Sequence, residues 1–119
     1  MGYAGTLLVK ALELDPTHGE ARVKLGQLLA ERAGMAESEE LEQELKEKSR
    51  VAYLLAVDHR DQKIAFRANL GLAQLLVKGG QYLKALPYVE NAVRLKTGSK
   101  QSIEQYLRRV QRAAEREKA

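Results

Sequence analysis

The 119-residue chain contains no cysteine and no tryptophan, and it has only two histidines and two prolines. The missing cysteines exclude disulfide bonds and thiolate-bound metal. His18 and His59 are too far apart in the sequence to form a local metal-binding motif, so we expect no metal and no cofactor. No apolar run approaches the roughly 18 residues that indicate a membrane-spanning helix, and the first residues lack the features of a signal peptide. We therefore expect a cytoplasmic protein without a transmembrane segment.

The composition is 45% hydrophobic and 30% charged, which is typical of a single helical domain with charged outer faces. The net charge of +4 is distributed unevenly. Residues 37–48 carry six acids and two bases, whereas residues 94–119 carry eight bases and three acids. The simplest interpretation of both segments is a solvated helix face.

The spacing of apolar residues predicts six helices, over residues 3–14, 18–33, 38–57, 62–78, 82–95 and 100–117. The first helix must end where Pro16 disfavours helical geometry at Asp15. Thr17 and Glu20 form a capping-box pattern that predicts the start of the second helix. Ser38 is a good N-cap for the third helix.

The same spacing predicts which side chains are buried. In the second helix these are Ala21, Leu25, Leu28, Leu29 and Ala33. In the third helix they are Leu41, Leu45, Ala52, Leu55 and Ala56. The fourth helix carries two apolar stripes, so we expect other helices to pack against it on two sides.

The second and fourth helices are similar to each other. "RVKLGQLLAERA" aligns with "ANLGLAQLLVKGG" at an offset of 47 residues, and the alignment places Leu25 on Leu72, Gly26 on Ala73, Gln27 on Gln74 and Leu29 on Leu76. This similarity predicts an internal repeat of helix pairs.

The repeat resembles the tetratricopeptide repeat family. A repeat of that family has a small residue after a leucine in its first helix, a glycine at the turn, alanines in its second helix and an Asp-Pro ending. The matching positions in the fourth and fifth helices are Leu72, Ala73, Leu76, Gly80, Tyr82, Ala85 and Ala92. The first helix matches the second half of a repeat through Ala4, Leu8, Ala11 and Pro16, and the second helix matches through Leu25, Gly26 and Leu29.

The resemblance implies an all-α fold in which antiparallel helix hairpins stack as a short right-handed α-solenoid. In a single domain spanning 1–119, residues 3–16 would be the second half of one repeat, 18–60 and 62–97 two further repeats, and 100–117 a capping helix. The middle repeat departs from the family through its acidic extension at 37–48 and through "VDHRDQ" in place of Asp-Pro. Because the first repeat lacks its first helix, we expect either a piece of a longer array or a homo-oligomer formed through the unpaired N-terminal helix.

In such a stack the first helices of each pair line a concave groove that binds a peptide or a partner helix. The resemblance places Lys24, Gln27, Glu31, Lys63, Arg67, Gln74 and Lys78 in that groove. Its second half is basic, which favours an acidic ligand or a C-terminal carboxylate. The carboxylate clamp found in chaperone-binding members is not expected, because Gly71 stands where its last arginine would be. The competing interpretation is that these side chains form ordinary solvated helix faces.

The function predicted from the sequence is therefore a protein-interaction module, either an adaptor or a scaffold of co-chaperone type. One alternative is a scaffold that self-associates through exposed repeat edges. Another is contact of the basic C-terminal helix with RNA or an anionic membrane. The arginines available for RNA phosphates are Arg94, just before that helix, and Arg108, Arg109, Arg112 and Arg116 within it. The sequence shows no nucleophile paired with a base and no phosphate-binding loop, so we do not expect an enzyme or a small-molecule substrate.

Overall fold

The computed structural model describes residues 18–118. Within this range the chain forms five helices and no strand: α1 (Gly19–Gly34), α2 (Glu39–Leu54), α3 (Gln62–Lys78), α4 (Tyr82–Leu95) and α5 (Gln101–Lys118). The prediction of an all-α fold is confirmed. The predicted helix at 3–14 lies outside the described residues. The helix predicted to reach residue 57 ends earlier, because the chain turns after Leu54 through a hydrogen bond from the amide of Ala56 to the carbonyl of Tyr53.

Each helix start satisfies its free amides in a different way. Thr17 of the predicted capping box lies outside the described residues. The N-cap of α1 is His18, which has an extended backbone and whose Nδ1 accepts a hydrogen bond from the amide of Ala21 at 3.1 Å. The prediction for α2 is confirmed, since the hydroxyl of Ser38 accepts from the amide of Leu41 at 3.1 Å.

The last two helices are joined by a cap that comes from the tertiary structure. The N-cap of α4, Gln81, makes no capping bond with its side chain. The carboxylate of Glu117, near the end of α5, instead accepts from the amide of Leu83 at 2.8 Å. Just before this helix, Gly80 has a φ of 75°, a backbone conformation that glycine adopts without strain.

Consecutive helices pack antiparallel. α1 packs along α2, α3 along α4 and α4 along α5, while α3 also contacts α1 and α2. Ser49 of α2 meets Gly26, whereas Leu55, six residues later, meets the earlier residue Arg22. The contacts therefore run in opposite directions along the two helices. The contacts of α3 with three other helices agree with its two predicted apolar stripes.

The core lies where α3 meets its neighbours. Its buried members come from all five helices and are Val23, Tyr53, Ala56, Ala68, Leu72, Ala73, Leu76, Ala85, Val89 and Val110. Large aliphatic side chains are few among them. Alanines let the helix backbones approach closely, and the high packing density of a protein core then provides the dispersion contacts.

The predicted buried face of α2 is only partly correct. Ala52 and Ala56 are buried, but Leu41 is 42% exposed and Leu55 is 58% exposed. The buried residues of α2 and of the turn after it are Ser49, Ala52, Tyr53 and Ala56, at spacings of three and four residues. This choice of buried face leaves Leu41 and Leu55 toward solvent. It also buries Ser49, whose hydroxyl donates to the carbonyl of Gly26 at 2.7 Å.

Candidate partner-binding surface

A tyrosine joins the two helices that the sequence assigned to the groove. The ring of Tyr53, which comes from α2, is 4% exposed and packs between α1 and α3. A Cβ atom added to Gly26 of α1 would lie 2.9 Å from this ring, and one added to Gly71 of α3 would lie 2.5 Å from it. These distances are too short for real contacts, so both positions require glycine. Gly71 is therefore a packing residue that makes room for Tyr53.

Two charged side chains, one from each of these helices, influence the hydroxyl group of Tyr53. Burial is the main cause that raises the pKa of Tyr53 to about 12; the nearby carboxylate of Glu31 raises it further, while the guanidinium of Arg67 lowers it. Both charges act on one hydroxyl, although Glu31 belongs to α1 and Arg67 to α3. Two of the predicted groove residues thus influence the same buried hydroxyl.

The other predicted groove residues extend from this point. On α3, Lys63, Gln74 and Lys78 are exposed and follow the helical spacing of Arg67 and Gly71. None of the ion pairs among the described residues includes Lys63, Arg67 or Lys78. The α3 half of the surface is therefore uniformly basic.

The α1 half is charge-balanced. Lys24, Gln27 and Glu31 are exposed, and the ammonium of Lys24 lies 3.3 Å from the carboxylate of Glu20, one turn earlier. Both side chains of this pair are about half exposed, so the pair contributes little to stability and Lys24 stays accessible to a ligand.

The structure also has a cleft that the sequence analysis missed. It lies between α2 and α4, has a volume of about 620 Å³, and is floored by Leu72, Leu75 and Leu76 of α3. Its walls consist of polar, charged and aromatic side chains together with one glycine and one proline: Gln43, Lys46, Glu47, Arg50, Gly79, Gln81, Lys84, Pro87 and Tyr88. The sequence held one indication of this cleft. Leu75 is an apolar residue that belongs to neither of the two apolar stripes predicted for α3.

The α2 wall of the cleft contains an ion pair between Arg50 and Glu47. The guanidinium of Arg50 donates two hydrogen bonds to the carboxylate of Glu47, at 2.9 and 2.6 Å. The bonds lower the pKa of Glu47 and raise that of Arg50. This pairing directs the carboxylate toward its own helix, so the cations of the wall are partly neutralised.

The two histidines have structural positions near the start of α1. His18 caps the helix, and the ring of His59 packs against Gly19, with its Nδ1 accepting from the amide of Asp61 at 3.0 Å. Among residues 18–118, no three histidine or acidic side chains are grouped so that they could hold a metal ion. In the same range, no helix combines the length and the apolar character that crossing a lipid bilayer requires.

Comparison with known proteins adds no relative. No protein-family model matches the chain, and neither the curated proteins nor the solved structures contain a similar one. The resemblance to tetratricopeptide repeats therefore depends on the residues of this chain alone.

Proposed function

We propose that this chain is a protein-interaction module of the tetratricopeptide-repeat type, in which a short right-handed stack of helix hairpins is capped by α5. Its ligand, an extended peptide or a partner helix, binds the α1–α3 face. We define this face by the residues Lys24, Gln27, Glu31, Lys63, Arg67, Gln74 and Lys78. The pairing of the helices supports the proposal, because α1 pairs with α2, α3 pairs with α4, and the two leading helices contact each other.

The observation that carries the proposal is the packing of the Tyr53 ring against Gly26 of α1 and Gly71 of α3. Two rows of polar side chains on separate helices form one binding surface only if the helices lie side by side with these rows adjacent. The ring of Tyr53, packed against a glycine of each helix, holds them in that relation. A ligand that bridges the rows therefore meets a rigid surface and loses less entropy on binding.

The charges favour an acidic ligand. Lys63, Arg67 and Lys78 supply three cations from α3 without an ion-pair partner among the described residues. Arginine can hold a carboxylate through two parallel hydrogen bonds, which adds directional specificity. A peptide with several acidic side chains, or with a free C-terminal carboxylate, has the complementary chemistry.

Site-specific photo-crosslinking tests this proposal. A photoreactive amino acid at Gln74, which is exposed on the α1–α3 face, should capture partner peptides from a lysate, whereas the same group at Glu90, exposed on α4, should capture few. The captured peptides should be enriched in acidic residues, and the Arg67→Glu, Lys78→Glu double variant should lose them. The matched control Lys48→Glu changes the charge of an exposed lysine on α2 and should retain them. Equal capture from both positions would refute this assignment of the face.

A further inference from the structure

The outer side of α5 carries four arginines in adjacent positions, with the exposed Glu104 and Glu115 along one edge. The helix packs along α4 through its apolar stripe, which includes Ile103, Val110 and Ala114. On its outward side we define the arginine face by the exposed residues Arg108, Arg109, Arg112 and Arg116. None of these four guanidinium groups forms an ion pair with a described residue, although Arg109 lies over the ring of Tyr106 at 5.7 Å. A polar outer face is sufficient for a capping helix, but capping does not require four arginines in adjacent positions.

The start of α2 carries the opposite charge. Residues 37–44 contain five glutamates and no base, and we define the acidic face by the exposed members Glu37, Glu39, Glu40 and Glu44. The first three form no ion pair with a described residue, and Glu44 pairs only with Lys48 of its own helix. The positive end of the helix dipole favours acids in the first turn, yet the acidic run extends beyond that turn.

Among the described residues, no ion pair joins these two faces within one copy. α2 packs on α1 and α3, whereas α5 packs on α4. The chain therefore carries two complementary charged surfaces that a second copy can bring together. Opposite charges in adjacent helices form ion pairs across such contacts and determine which helices associate.

From these observations we infer that the arginine face of one copy docks on the acidic face of a second copy. The contact joins two different surfaces, so it is head-to-tail, and further copies can add to both free ends. Because the docking faces are charged and exposed, salt screens the attraction between them, and the association is strongest at low ionic strength. The inference goes beyond the proposed function and shares no residue with the α1–α3 face.

Sedimentation equilibrium of charge-reversed variants tests the inference. In about 0.01 M salt, where the Debye length is roughly 30 Å, the unaltered chain should have an average mass above that of a monomer, and in about 1 M salt it should be monomeric. The arginine-reversed variant (Arg108→Glu, Arg112→Glu, Arg116→Glu) and the acid-reversed variant (Glu37→Arg, Glu40→Arg, Glu44→Arg) should each be monomeric alone. An equimolar mixture of the two should associate again, because each variant then complements the other.

Two controls exclude a trivial result. The Arg60→Glu variant changes the charge of an exposed residue just before α3, outside both faces and outside the α1–α3 face, and should associate like the unaltered chain. Far-ultraviolet circular dichroism should show the same helical content in every variant, because all the altered side chains are exposed; the milder variant Glu37→Gln, Glu40→Gln, Glu44→Gln serves if the arginines disturb the helix start. A monomer at every salt concentration, or a mixture that fails to associate, would overturn the inference. Binding of the monomeric chain to RNA or to anionic vesicles would assign the arginine face to phosphate instead.

Discussion

The central helix α3 is attached to its neighbours by two different kinds of contact. On one side, the Tyr53 seam consists of an aromatic ring fitted between two glycines, Gly26 and Gly71. On the other side, the asparagine seam joins α3 to α4 through a hydrogen bond from Nδ2 of Asn91 to Oδ1 of Asn69 at 3.3 Å. The first seam depends on shape and the second on satisfied polar groups, so the two should respond differently to substitution.

Each seam also selects one arrangement of its helices. The ring of Tyr53 fills a space that only glycines leave, so a rotation of either helix would create a clash or a void. Asn69 is 1% exposed, and its amide also donates to the carbonyls of Val57 at 3.1 Å and Ala65 at 2.8 Å. A shift of α4 would leave a buried amide oxygen without a partner, which is unfavourable. Both seams therefore specify geometry as well as stability.

The largest effect should come from removing the ring. Tyr53→Ala should lower the free energy of unfolding by about 3–5 kcal/mol, because it leaves a cavity between three helices. Urea unfolding followed by circular dichroism measures the change. Tyr53→Phe keeps the ring and serves as the control, with a much smaller loss expected. If Tyr53→Ala lost less than about 1 kcal/mol, the seam would not depend on this ring.

A methyl group added at Gly71, against the Tyr53 ring, should cause the next largest loss in the free energy of unfolding. Gly71→Ala gains about 0.5–1 kcal/mol of helix propensity but introduces overpacking that typically costs about 1–3 kcal/mol, so we expect a net loss. Gly34→Ala is the matched control, since an added Cβ there meets no atom within 4 Å. The same Gly71 change in a Tyr53→Ala background should no longer destabilise. A Gly71→Ala chain more stable than the unaltered one would contradict the packing argument.

The asparagine seam should give a smaller loss. Asn91→Ala removes one long hydrogen bond and should lower the free energy of unfolding by about 1 kcal/mol. Asn91→Asp is the sharper variant, because it places a carboxylate oxygen opposite Oδ1 of Asn69, where two acceptors cannot bond. We expect the aspartate to destabilise more than the alanine. The reverse order, measured by urea unfolding, would show that the hydrogen bond does not join the helices.

Ionisation of Tyr53 should cause the smallest change in the free energy of unfolding, provided that the pH stays below about 11. Its pKa is raised to about 12 in the folded chain, whereas an unfolded tyrosine titrates near 10. Above pH 10 the unfolded state therefore loses this proton first, so stability should fall as the pH rises from about 10 toward 12. Burial also raises the pKa of Tyr106, so tyrosinate absorbance should show a late-titrating component that becomes smaller in Tyr53→Phe. A titration curve that is unchanged above about pH 10 in this variant would contradict the burial argument.

The helices themselves were predictable because local interactions define them. The predicted ranges 62–78 and 82–95 coincide with α3 and α4, since apolar periodicity, the cap at Asp61 and the glycine turn all act within a few residues. The start of α1 shows the limit of such reasoning. Thr17 and His18 are adjacent and both have a side-chain acceptor, and periodicity does not decide which of two neighbours becomes the N-cap.

The candidate surfaces were less predictable. The sequence placed Glu31 and Arg67 in one groove through a family resemblance. In the structure, the two helices that carry them both pack against Tyr53, a residue that the apolar pattern did not single out. Leu41 and Leu55 were expected in the core because they match the helical period. A second set of residues, on an adjacent face of the same helix, has the same period. Only the packing of α2 on α1 chose between them.

The sequence by itself thus determined the five helices within residues 18–118 and most of their ends, apart from the N-cap of α1 at His18 and the end of α2 at Leu54. These features depend on backbone hydrogen bonds and side chains a few residues apart. The tertiary structure decided which face of α2 is buried, why Gly71 must be glycine, and that a cleft opens between α2 and α4. Those outcomes depend on the fit between helices that are distant in sequence. A local sequence pattern does not show how much space each side chain has once the helices pack together.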